Sequence, residues 1–282
     1  MSSPDERLVS AHYARGAGAA EILDSILAAL RASGRDPDRI TWEDLTPVDQ
    51  FHVGGRPATL KLAALADIQR GQHVLDVGGG IGGPARTLAV TTGCRVTVLD
   101  LTEIFTQVGT ALTERAGLQD LVSFRVGDAL DIPLDDASVD VAWTQHSTMN
   151  IAHKERLYAE LHRVVRPGGR LAMHEVVAGE GEPTLHFPVP WAADPGISFL
   201  RTGDDLRATI AAAGFAEVVW ADLTGPSIQG IGERLAGAAS AQPPVLALHL
   251  LQGERFDDSL RVLLRNLEEG RARVVQGVFE RV

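Results

Sequence analysis

Five glycines in six positions, Gly78-Gly-Gly-Ile-Gly-Gly, join the apolar run His73-Val-Leu-Asp-Val to Pro84-Ala-Arg. Glycine reaches positive φ and leaves room for another group to touch the backbone. Proline suits the first turn of a helix. This stretch therefore predicts a tight turn from a strand into a helix. Backbone N–H groups and the positive end of the helix dipole converge there on any ligand.

The residues around the turn extend the pattern. Apolar runs at His73–Val77, Arg95–Asp100, Leu121–Val126, Val139–Thr144 and Arg170–Val177 read as strands. Helices are predicted at 85–90, at Glu103–Ala116 before Gly117, and at His153–Val165, where Pro167-Gly-Gly stops the chain. Strands alternating with helices at this spacing predict an α/β fold with a doubly wound, Rossmann-like parallel sheet. Ahead of it, Ala17–Leu30 and Ala58–Ile68 read as helices, with a hinge at Gly54-Gly55. After it come a helix at Leu206–Ala213, a strand at Ala216–Asp222, two helices within 227–269 and a last strand at Ala272–Val282. Leu246, Leu248, Leu250 and Leu251 are expected in the core rather than at an interface. The division is 1–70 as a helical cap, 71–223 as the core, and 224–282 as a helical insertion with the final strand.

Composition excludes several functions. A chain of 282 residues has 37 acids against 26 bases, a net charge of −11 that repels a phosphate backbone, so no nucleic-acid partner is expected. One cysteine, Cys94, forms no internal disulfide and no Cys-based zinc cluster. The nine histidines are scattered, so no metal site is expected. No apolar run approaches the ~20 residues of a membrane span. Met1–Arg7 lacks the features of a secretory signal, which leads to an expectation of a cytoplasmic protein without membrane attachment.

Gly78-x-Gly80-x-x-Gly83 with Asp100 after the second strand fits a dinucleotide or another nucleoside. Asp76 lies inside the first strand, where its charge would repel a pyrophosphate and attract an ammonium or sulfonium. Asp128, in Gly127-Asp-Ala129, can accept a hydrogen bond from an adenine amine. Three acids at three successive strand ends suit a cationic nucleoside.

With these residues in place, Val74-Leu-Asp-Val-Gly-Gly-Gly-Ile-Gly-Gly-Pro-Ala-Arg86 resembles motif I of the class I S-adenosylmethionine-dependent methyltransferases. Asp100, Gly127-Asp-Ala129 and Arg166-Pro-Gly-Gly-Arg170 are similar to that family's later motifs. The Gly-Gly-Pro-Ala-Arg extension looks most like the small-molecule branch that includes sterol C-methyltransferases and glycine/sarcosine N-methyltransferases. The resemblance covers residues 72–222. It implies a seven-stranded sheet with the last strand antiparallel, and S-adenosylmethionine as cofactor with S-adenosylhomocysteine as product. It further implies methyl transfer to an oxygen, nitrogen or carbon atom of a small molecule; the Ala-, Arg- and Gly-rich usage suits a bacterium making specialised metabolites. By resemblance, Asp76, Gly78, Gly79, Gly80 and Gly82 hold the methionine part, and Asp100 the ribose hydroxyls. Leu101 and Thr102 border the ribose or adenine, Asp128 and Ala129 contact the adenine, and Gln145 sits beside the methionyl amine and the transferring methyl.

Methyl transfer from a sulfonium needs alignment above all, which is worth roughly 7–11 kcal/mol. A base is needed only where the acceptor must lose a proton. His146, immediately after the fourth strand, is the candidate catalytic base; its alternative role is orienting substrate. His174 and Glu175 in the fifth strand, His52 in a lid over the site, and Trp191 in the proline-rich stretch 178–200 are candidate substrate contacts. The alternatives kept open are a non-methylating member that binds the cofactor or catalyses a cyclisation, and a nicotinamide dehydrogenase. The helices within 227–269 are expected to complete the pocket roof or a subunit contact; which of these, the acceptor and a homodimeric assembly stay open.

Overall fold

The computed structural model describes residues 8–9, 11–13, 18–181, 184–240, 245–253 and 255–282. Ala17, Met1–Arg7, Pro183 and positions 241–244 of the expected helical insertion lie outside them. The centre is a seven-stranded sheet in the order β3-β2-β1-β4-β5-β7-β6. Its strands are β1 (His73–Val77), β2 (Arg95–Asp100), β3 (Val122–Val126), β4 (Val139–Gln145), β5 (Val165–Ala178), β6 (Phe215–Asp222) and β7 (Ala272–Arg281). Strands β1 to β5 pair in parallel, and β7 runs antiparallel between β5 and β6. The switch of strand order beside β1 opens a crevice at the carboxyl ends of the strands, where this architecture binds ligands.

The apolar runs form central strands because both faces are covered. Leu75, Val77, Ala142, Leu171 and Met173 pack with Leu157, Tyr158, Leu161, Ile210 and Phe215 on one face. Val74, Val96, Val98 and Trp143 pack with Leu62, Ala85 and Leu88 on the other. Strand β5 begins five residues earlier than the expected start at Arg170. Val165 takes an extended backbone and pairs with Val139, so Pro167-Gly-Gly lies within an irregular start of the strand.

Helix Trp42–Asp49 falls in a stretch for which the sequence reading assigned no element. A capping box starts it: Thr41 Oγ1 accepts from the Asp44 N–H, and Asp44 Oδ2 accepts from the Thr41 N–H at 2.8 Å. Helix Gly83–Thr92 carries Pro84 in its first turn, as expected, with Gly82 at φ +81 as its N-cap. The segment before β7 holds helices at Thr224–Ser240 and Phe256–Glu268, with the single turn His249–Gln252 between them, rather than two helices alone. Leu246, Leu248 and Leu251 are buried and Leu250 packs partly buried beside them, as expected of core residues. No helix among the described residues is long and apolar enough to cross a membrane.

Candidate active site

At the carboxyl ends of the strands lies a cavity of about 750 Å³. Its floor is the glycine turn. Gly78 and Gly80 have φ +70 and +58, values that a side chain rarely adopts. A Cβ on Gly79 would stand 2.5 Å from Asp76 Oδ2 and 2.9 Å from Val98 Cγ1, so the turn closes only with glycine there. Asp100 at the end of β2 clamps it: Oδ2 accepts the Gly80 N–H at 2.8 Å, and Oδ1 accepts the Thr102 N–H at 2.8 Å.

Two of the acids, Asp76 and Asp100, are buried. Asp76 is 1% exposed, and its Oδ2 has no hydrogen-bond partner in the structure. Burial, with Asp100 nearby, pushes its carboxyl up to about 7. Burial also raises Asp100, against the hydrogen bonds from the backbone of Thr102 and Gly80. Asp128 Oδ1 accepts the Leu130 N–H at 2.8 Å, which orders the loop after β3. A buried carboxylate with an orphaned oxygen beside an open glycine backbone fits a ligand that carries a cation and hydrogen-bonding hydroxyls.

Three histidines gather beyond β4 and β5. His146 and His174 stack with ring centroids 4.8 Å apart and planes 10° apart; His52 meets each edge-on at 6.3 and 6.0 Å. His146 takes φ +50 directly after β4, which turns its side chain from the sheet into the crevice. Its Nε2 has no partner. The Val53 carbonyl at 3.0 Å accepts from His174 Nε2, which makes that nitrogen the protonated one. By the same logic His52 Nε2 donates to the Gly55 carbonyl at 2.9 Å. Burial and the neighbouring imidazoles hold His146 well below the ordinary histidine range, and burial chiefly lowers His52 to about 3 and His174 to about 4. All three rings are neutral at pH 7.

Asp76, Gly78, Gly79, Gly80, Asp100, Leu101, Thr102, Asp128, Ala129, Gln145, His52, His146 and Trp191 all line this cavity. Two of the expected site residues, Gly82 and His174, do not line the cavity. Gly82 lies off the cavity: its space is closed by the Phe124 ring, 2.6 Å from where a Cβ would be, and its role is to let the helix pack on β3. His174 is 1% exposed and stands behind His146, bonded to Val53, so it has no open face for substrate. Gln145 lines the cavity, but its amide is engaged by Thr59 Oγ1 and Trp143 Nε1. Glu175 is fully buried and raised to about 7 by burial; its Oε2 accepts the Thr148 N–H at 3.3 Å, beneath the His146 turn.

Other cavity residues were not singled out, although the helices within 227–269 were expected as a pocket roof or a subunit contact. Phe51 and Val53, on the segment after helix Trp42–Asp49, cover the glycine turn and His174. Asn150 accepts from the Tyr13 hydroxyl at 2.9 Å and donates to the carbonyls of Trp191 and Ile197, tying the N-terminal segment to the proline-rich stretch. Ile231, Leu248, Phe256, Leu260 and Leu263 supply an apolar wall from the insertion. Outside those helices, only the short polar signal Thr148-Met-Asn150 after β4 could have pointed to any of these.

Residues 75–173 match the family model described as a methyltransferase domain. The methyltransferase GfsG of Streptomyces halstedii is 35% identical over 136 residues, which span 48% of this chain and 49% of that protein. The aligned stretch is thus about half of that curated relative's length. Among solved structures, geranyl diphosphate C-methyltransferase from Streptomyces coelicolor A3(2) superposes with a TM-score of 0.73 at 16% identity, over 100% of this chain and 99% of that one. The [4+2]-cyclase SpnF superposes with a TM-score of 0.68 at 19% identity, over 92% and 93%. At those identities the two structures establish a shared fold. Residues 75–173 are similar to a methyltransferase domain, and the whole chain shares the fold of these solved structures.

Proposed function

We propose that the chain transfers a methyl group from S-adenosylmethionine to a small-molecule acceptor. The observation that carries this reading is that one cavity joins the acid-lined glycine turn to an apolar chamber. In this reading Asp76 and Gly78–Gly80 hold the methionine part, where the buried carboxylate gains a cationic partner. Asp100, Leu101 and Thr102 hold the ribose, Asp128 and Ala129 the adenine, and Gln145 borders the reacting centre. When bound, the cofactor supplies a methyl group already activated on a sulfonium. The chain's own part is to align the acceptor, exclude water and take up a proton where the acceptor carries one.

His146 is the residue we assign to that proton. It is neutral, faces the cavity, and keeps a ring nitrogen without a partner. His52 and Trp191 contact the acceptor in this reading. In this reading the cap supplies Tyr13 and Phe51, the core the glycine turn, and the insertion Ile231 and Phe256 to the cavity lining. Bacterial specialised metabolism is the setting that the Ala-, Arg- and Gly-rich composition suits.

The test is incubation of the purified protein with trideuteromethyl S-adenosylmethionine and a small-molecule extract of its host. A product bearing the labelled methyl supports transfer, and its fragmentation identifies the accepting atom. Cofactor that binds but never yields S-adenosylhomocysteine, in extract known to contain the acceptor, contradicts it.

A further inference from the structure

We infer that the acceptor is a neutral, largely apolar molecule, selected by Phe256, Leu260 and Leu263 on the helix inserted before β7. The inference rests on the methyltransferase reading and names the substrate class of that same site. These three side chains line the cavity and are buried in one apolar cluster with Met149, Val176, Trp191 and Ile231. They recur at i, i+4 and i+7, so one helical stripe faces the chamber.

Several polar groups around this chamber are already engaged. Apart from Asp76 Oδ2 at the glycine turn, the buried cavity-lining atoms left without a hydrogen-bond partner among the described residues, Thr46 Oγ1, Gln50 Oε1 and His146 Nε2, belong to uncharged side chains. Both hydrogens of the Asn150 amide go to carbonyls, at 2.9 Å for Trp191 and 2.7 Å for Ile197, and its oxygen accepts from Tyr13. The Trp191 indole donates to Ser198 Oγ at 3.0 Å. Arg234 lies 3.6 Å from Asp257 and over the Phe256 ring, and Arg56 lies over the Trp42 ring. Asp49 is bonded to Arg86. A zwitterionic amine would need a cation for its carboxylate and an anion for its ammonium. The carboxylates that line the cavity at the glycine turn and the strand ends, Asp76, Asp100 and Asp128, lie at the cofactor end, and the wall of Ile231, Phe256, Leu260 and Leu263 offers no charge to pair with. Desolvating a zwitterion in the apolar chamber would therefore go uncompensated, whereas each apolar group of a neutral acceptor gains by burial. The neutral His146 leaves that wall uncharged.

Titration calorimetry on the protein saturated with S-adenosylhomocysteine tests this, with 1-decanol and sarcosine as probes. The expected result is a Kd for 1-decanol on the order of 100 µM and no binding of sarcosine. Leu263→Trp fills the chamber and should weaken 1-decanol about tenfold or more, the worth of two buried methylenes, with S-adenosylhomocysteine binding retained. Leu260→Ala widens the same wall and should shift preference toward 1-dodecanol. Sarcosine binding as tightly as 1-decanol overturns the inference, as does 1-decanol affinity indifferent to both substitutions in variants that still bind S-adenosylhomocysteine. Failure of the unaltered protein to bind S-adenosylhomocysteine, with 1-decanol still bound, overturns the methyltransferase reading instead.

Discussion

Arg86 Nη2 donates to Asp49 Oδ2 at 2.9 Å, with the two side chains only 1% and 2% exposed. Arg86 lies on the helix that the glycine turn opens, and Asp49 ends helix Trp42–Asp49 of the cap. Thr113 accepts from Arg86 Nη1, and Gln50 donates to the other Asp49 oxygen. A Cβ on Gly83 would stand 2.1 Å from the Asp49 carbonyl oxygen, so cap and turn are in direct backbone contact. The segment that carries Phe51, His52 and Val53 over the cavity is thereby registered on the turn itself.

Asp49→Ala strands a buried guanidinium. The expected loss is about 3–5 kcal/mol of stability, read by urea denaturation. A loss below 1 kcal/mol would show that the pair does not hold the cap.

Gly79→Ala forces a Cβ against Asp76 and Val98. S-adenosylhomocysteine affinity should fall at least about tenfold, since the carboxylate has to move. Gly225→Ala, in a helix with open space at that position, is the control: stability should rise by up to about 1 kcal/mol, with ligand affinity unchanged. Equal behaviour of the two variants would remove the turn from the binding account.

The raised carboxyl of Asp76 sets a pH dependence of cofactor affinity. A cation binding beside it favours the ionised form, so its pKa in the complex lies below the value of about 7 in the free protein. Affinity is then full above pH 7 and declines as pH falls through 7 toward the complex's pKa, by at most about tenfold per unit. Asp76→Asn should bind more weakly at pH 8 and lose this slope. A slope that survives the substitution would assign it to another group.

His146 should behave as a neutral proton acceptor. His146→Ala is expected to lower kcat about 10²-fold, with S-adenosylhomocysteine affinity intact. With saturating cofactor, kcat of the unaltered protein should show no step near pH 6.5, because burial, His174 and His52 keep the ring deprotonated there. A loss under threefold in the variant would leave His146 as a wall residue.

The glycine turn, Asp76, Asp100 and Asp128 were legible in the sequence because each occupies a fixed offset from a strand end. His146 was legible for the same reason, being the first residue past β4. His174 shares the register of Gln145 across β4 and β5, but the sequence does not show that Val53 and His146 stand against its ring. Gly82 follows the glycine spacing, but Phe124, 42 residues away, decides what it faces. Helix Trp42–Asp49 escaped notice because Pro47 sits inside it, and its start depends on the Thr41–Asp44 box. The helices within 227–269 were legible as a pocket roof or a subunit contact, but not which of their residues line the cavity, because Phe256, Leu260 and Leu263 have the same apolar character toward the cavity as core residues have toward a sheet.

Titration calorimetry of the purified chain with S-adenosylhomocysteine, NAD and the Asp100→Ala variant tests the central claim most directly. The account predicts one S-adenosylhomocysteine bound per chain, no binding of NAD, and affinity at least about tenfold weaker once Asp100 no longer clamps Gly80 and Thr102. No binding of S-adenosylhomocysteine, or equal binding by the variant, would contradict it.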